Sequence, residues 1–187
     1  MKNFTRIARA TLLSALIPIA PMLADTPSGQ IEFGTFEPSK TRGEFVEVNL
    51  KGPLLAMAAK FAGKQDAEIA KLVESLKSVR VNVVGLGDDN RADVRKRLAE
   101  LRVQLDAGGW EKLVNVQDKG DNVTIHVKTR GTESVEGIVI LVEDHGKEAV
   151  LVNVVGDVKP EQLEKLGARL GIEPLRQAAE SISKEKK

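Results

Sequence analysis

The sequence predicts an α+β domain: a mostly antiparallel sheet with helices packed on one face, ending in a four-stranded meander followed by a helix. Three observations point there. Two stretches of helical period alternate with two stretches of period-two apolar residues. Four further strand-like stretches are then joined by connections too short for anything but hairpins, and a proline-opened helical pattern closes the chain.

The first residues are not part of that domain. Lys2, Arg6 and Arg9 are the only charges before Asp25, and the apolar run from Ala10 to Ala20 follows them. This is the basic-then-apolar pattern of a secretory signal peptide. A membrane span needs about 20 consecutive apolar residues, and here Pro18 and Pro21 interrupt a shorter run. Residues 1–24 are therefore expected to be removed, with Ala24 and Asp25 flanking the cut. Removal takes three of the 28 basic residues and none of the 27 acidic ones, so the remainder is mildly acidic. Such a surface offers no electrostatic footprint for nucleic acid or anionic lipid. There is no cysteine, which excludes disulfides, thiolate nucleophiles, thiolate metal ligation and a lipid anchor at the cut. The expectation is a periplasmic or secreted chain without a stable membrane anchor.

Residues 25–40 read as a flexible leader, punctuated by Pro27, Gly29 and Pro38 around a weak strand at 31–36, and 41–175 as a single domain. Residues 44–50 alternate as a strand. Gly52-Pro53 opens a helix, since proline's missing N–H is wanted by nothing in a first turn. Asp66 caps a second helix, in which Ile69, Leu72, Val73 and Leu76 recur at i, i+3, i+4 and i+7. A strand over 78–86 carries Val79, Val81 and Val83 on one side. Val94, Leu98, Leu101 and Leu105 then mark one face of a helix over 91–106, which Gly108-Gly109 stops. Trp110, next to that stop, is expected as a core anchor. Strands at 111–117, 122–129, 135–143 and 148–155 follow, then a helix opened by Pro160 with Leu163, Leu166 and Leu170 on one face, and a polar tail at 176–187. Val81, Val83, Leu98, Leu101, Ile125, Val127 and Leu163 are expected to be buried together.

No constellation of known chemistry assembles. Gly85-Leu86-Gly87 leads into a helix, but the third glycine of a dinucleotide loop is missing, and Asp88 and Asp89 stand where a pyrophosphate would sit. Asp88, Asp89 or Asn90 as a helix cap explains the segment. His126, on the polar side of a strand, and His145, at a hairpin tip, have no evident partner in the spacing. Asp118-Lys119-Gly120-Asp121-Asn122 lacks the spacing of a calcium loop. Arg91, Arg95, Lys96, Arg97 and Arg102 are interleaved with Asp93 and Glu100, as on a solvated helix face. No catalytic residue, metal ligand or cofactor site is expected. The string Val-Asn-Val at 81–83, 114–116 and 152–154 reads as strand alternation rather than duplication, because its flanks do not match.

The segments Trp110-Glu111-Lys112-Leu113-Val114-Asn115-Val116 and Val150 to Val158, with the continuation Pro160-Glu161-Gln162-Leu163, resemble the domain of unknown function 4252 family over roughly residues 40–175. The resemblance implies a small exported bacterial protein and supplies no catalytic residues.

The function these features favour is non-catalytic: an exported domain that binds a protein or other envelope partner, with a homodimer as one form of that partner. The alternative is a periplasmic enzyme whose site is built from scattered carboxylates. The strand at 135–143 is apolar on both sides. One parity, Val139, Leu141, Leu151 and Val155, is the candidate interaction patch; the other comprises Ile138, Ile140, Val142, Val150, Val152 and Val154. Either can face the helices, and the one left over needs a cover, for which the leader or C-terminal segment comes before another molecule.

Overall fold

A computed structural model describes residues 28–64, 66–132, 134–159 and 161–162. Strand β1 (Phe45–Lys51) runs directly into helix α1 (Gly52–Ala62), which has its proline in the first turn as expected. Helix α2 (Ala67–Ser75) starts where Asp66 turns its carboxylate back on the backbone, accepting from the N–H of Glu68 at 2.9 Å and of Ile69 at 3.2 Å. Leu76 is not the last apolar rung of that helix; it begins β2 (Leu76–Gly85). Helix α3 (Arg91–Ala107) ends at Gly108 and the left-handed Gly109, φ +71°. Then come β3 (Glu111–Asp118), β4 (Asp121–Arg130), β5 (Ser134–Asp144) and β6 (Glu148–Val158). Lys119 and Gly120 join β3 to β4 with positive φ at both positions, the geometry that matches strand twist in a two-residue hairpin.

The six strands form one antiparallel sheet in the order β1-β2-β6-β5-β4-β3. Chain continuity from β2 to the far edge at β3 is carried by α3, which crosses the sheet. At about 1.5 Å per residue α3 is roughly 25 Å long, enough to pass over the intervening strands, which lie about 4.8 Å apart.

The first face of the sheet lies under α3. Val94, Leu98, Leu101 and Leu105 pack on Val84, Val139, Leu141 and Leu151, joined by Phe33, Phe36 and Trp110. Two expectations change here. Segment 28–39 is not a leader with a weak strand: it has no strand pairing and plugs the edge of this core with two buried phenylalanines. Asn153, fully buried in β6, holds it by accepting from the Ile31 N–H at 3.1 Å and donating to the Gly29 carbonyl at 3.0 Å. The Gly85–Asn90 loop is the second clasp. None of its side chains caps α3; Asn90 instead accepts from Gly87 N–H and donates to the Gly85 and Glu37 carbonyls, while Asp89 takes Ser39 and the Lys40 N–H. Gly87 has to be glycine because Ser39 and Thr41 occupy the space of its missing Cβ.

The helices do not share a face. Leu72 of α2 lies on the opposite side of the sheet, with Ile125, Val127, Val135, Ile138 and Val158. The expected common cluster therefore divides: Leu98 and Leu101 belong to the first face, Ile125 and Val127 to the second, where Val81 and Val83 are only half-buried. The cause is that central strands with apolar residues on both sides carry no parity signal. Leu163, most of the expected closing helix, the polar tail and residues 1–24 lie outside the described residues.

Candidate functional site

The candidate interaction patch named from the sequence is core. Val139, Leu141, Leu151 and Val155 are all buried, and the first three pack directly against the α3 cluster. The leftover parity is the other one, and strand register arranges it into rows. Val46, Val83, Val150, Val142, Val123 and Val116 are successive cross-strand partners, one from each of the six strands. Beside them run Val48, Val81, Val152, Ile140, Ile125 and Val114, and then Leu50, Val79, Val154, Ile138 and Val127, closed by Glu111.

Cover is uneven along these rows. In the third row Ile138 and Val127 are buried, next to Leu72 of α2. In the first row the four inner valines are half-buried, and Val46 and Val116 at the sheet edges are exposed. Directly opposed side chains on an antiparallel pair sit about 5 Å apart, so the first row is a continuous apolar band running the width of the sheet. The Val-Asn-Val strings mark it: in all three the valines belong to these rows, and Asn82, Asn115 and Asn153 point to the other side. That recurrence was the sequence signal for the surface.

Two polar clusters flank the sheet. His126 sits on the α3 face, 0% exposed, with Thr124 beside it in β4. Its ring nitrogens make no hydrogen bond, and the nearest carboxylate, Asp106 Oδ1, is 3.4 Å from Nε2. Burial pushes its pKa down, helped by the Lys112 charge and opposed by Asp106. Arg102 nearby is also depressed by burial, while Glu143 pulls it up. Glu143 is held by Arg95, Nε to Oε1 at 2.6 Å.

His145 is not partnerless, as its place at a hairpin tip suggested. Its Nδ1 lies 2.6 Å from Asp144 Oδ1 and 2.7 Å from Asp121 Oδ1. Its pKa is raised, first by the hydrogen bond to Asp144 and then by the charge of Asp121. Asp121 is distant in sequence, and the β4–β5 pairing brings it alongside Asp144. These three residues each offer one ligand atom within 4.8 Å of the others, so they are the group among the described residues with the spacing to hold a metal ion.

A groove of about 610 Å³ lies between segment 35–40 and the start of α3. Two of its four carboxylates serve the fold: Asp89 accepts from the Lys40 N–H and the Ser39 hydroxyl, which hold its pKa low, and Glu100 pairs with Arg97.

With this geometry in place, comparison with known families is decisive on kinship. The family described as Domain of unknown function (DUF4252) matches residues 40–166. The chain belongs to that family. Comparison with curated proteins and with solved structures finds no match. The span matched to DUF4252 takes in every described strand and helix, and all the valine and isoleucine rows. It begins after Phe33 and Phe36, so the plug on the α3 core lies outside the matched DUF4252 region.

Proposed function

We propose that this DUF4252 member is an exported, non-catalytic binding domain whose protein partner docks on the second face of the sheet, centred on the first row of valines. The observation that carries the reading is that row: six valines in register on six strands, with α2 covering only the opposite end of the face. Surface of this kind is costly to leave in water, and it suits a partner that supplies a complementary apolar surface. The export half of the reading rests on the basic and apolar tract of residues 1–24, with cleavage between Ala24 and Asp25.

Affinity capture of the tagged chain from the envelope fraction, run beside its Val142→Lys variant, tests the binding half. A protein held by the parent and lost by the folded variant is the expected result; a partner retained by both sinks the docking face. The export half is read from the mass of the recovered protein. A chain beginning at Asp25 is expected, and an intact chain that keeps Met1 in the membrane fraction overturns it.

A further inference from the structure

Helix α1 is built unlike the other two helices among the described residues. Its inner side buries Leu55 and Ala59. Its outer side, which in a surface helix carries charge, carries Leu54, Met57 and Phe61 instead, exposed by 52%, 55% and 65%. At i, i+3 and i+7 these three fall within roughly 60° of one another around the helix axis. Neighbouring α2 shows the contrast, with Glu68, Lys71 and Glu74 at its exposed positions. The charged residues within α1 and its immediate flanks are all lysines, and the carboxylates of Asp66 and Glu68 begin with α2. Lys60 and Lys64 are exposed, Lys64 lies over the Phe61 ring at 5.6 Å, and no acidic residue occurs from 48 to 64. That is a local departure from the mildly acidic balance of residues 25–187, which by itself offers no footprint for anionic lipid.

We infer that α1 lies on the surface of an anionic phospholipid membrane, inserting Leu54, Met57 and Phe61 among the acyl chains and setting Lys60 and Lys64 against the headgroup phosphates. A helix with one bulky apolar side and flanking lysines is the form that binds in the interfacial plane, and lysine stems are long enough to follow the apolar side chains while their charges stay at headgroup level. The area argues for lipid over protein. Three side chains on a convex helix roughly 16 Å long fall well short of the roughly 800 Å² per partner that a stable protein interface buries. The helix rests on the membrane and does not cross it: no helix among the described residues is long and apolar enough to span. This surface is separate from the valine rows, so the inference stands or falls apart from the proposed partner.

The absence of cysteine permits a position-specific test in the full chain. Met57→Cys on α1 and Val103→Cys on α3, each labelled with an environment-sensitive fluorophore, are mixed with vesicles of phosphatidylcholine alone or with a quarter of phosphatidylglycerol. Val103 is 68% exposed on the helix covering the other face of the sheet, so it reports any chain that the apolar N-terminal tract merely tethers to the bilayer. The expected result is a blue shift at position 57 with the anionic vesicles and none at 103. Replacing Lys60 and Lys64 with Gln should weaken binding about fivefold per lysine, on the order of twenty-five-fold together, and Phe61→Ser should weaken it by tenfold or more. An unchanged label at 57, an equal response at 57 and 103, or a response to protein concentration without vesicles, which would mean a second copy covers the stripe, each overturns the inference.

Discussion

Two histidines show how the same side chain can push stability in opposite directions with pH. His126 is neutral and buried, with its pKa lowered from 6.5 chiefly by burial. Unfolding releases it to water, where it binds a proton more readily. The stability it confers is therefore present above pH 6.5 and lost as the pH falls from there through the depressed folded value. His145 is the reverse case: its pKa is raised by Asp144 and Asp121, so its contribution is present below pH 6.5 and lost as the pH rises through the folded value. His145 is exposed, and water screens the gain. The buried residue should dominate. Thermal melts on either side of pH 6.5 are expected to show an acid limb of falling stability that is shallower in His126→Leu and unchanged in His145→Asn. An identical acid limb in His126→Leu would assign the effect elsewhere. The His126 environment was not legible in the sequence, because Val123-Thr124-Ile125-His126-Val127-Lys128 has the alternation of a half-solvated strand, while α3 in fact brings Arg102 and Asp106 over its polar side.

At the scale of elements, legibility tracked how one-sided each pattern was. Helix α3 has a single apolar stripe, and Val94, Leu98, Leu101 and Leu105 are all buried as the spacing required. The strands it covers have two apolar sides, so periodicity located them without saying which side met the helix. Segment 28–39 has neither period. Its place depends on two phenylalanines and on Asn153 and Asp89, partners more than 45 residues away in the chain, and nothing local announces it. Leu98→Ala or Leu101→Ala should cost about 2–5 kcal/mol, because both are fully buried and leave a cavity under a crossing helix. Phe33→Ala is expected to cost about 3–5 kcal/mol, which is the sharper test, since a loose leader would tolerate it. Chemical denaturation of the three variants measures both, and a Phe33→Ala midpoint equal to the parent's would return the segment to a leader.

Over the whole molecule the unequal treatment of the two sheet faces is what links fold to function. One face is closed by α3 and the 28–39 plug. Among the described residues the other is closed by Leu72 only where β5 begins and β6 ends, and it opens progressively toward the first row. Strand β5 carries both conditions on one side of one strand: Ile138 is buried near α2, and Val142, four residues on, is half-buried between Val123 and Val150. Burying an unpaired charge costs several kcal/mol, whereas a lysine at a half-exposed site can lay its stem along the sheet and keep its ammonium in water. Ile138→Lys is therefore expected to unfold the domain or lower its stability by at least about 3 kcal/mol. Val142→Lys should stay folded at a cost of about 1 kcal/mol, with circular dichroism and a denaturation midpoint close to the parent's. If Val142→Lys proved as damaging as Ile138→Lys, the first row would be covered within the chain itself, and the partner surface would have to lie elsewhere. A gradient from tolerant to intolerant along this strand leaves the row of valines free for a second molecule.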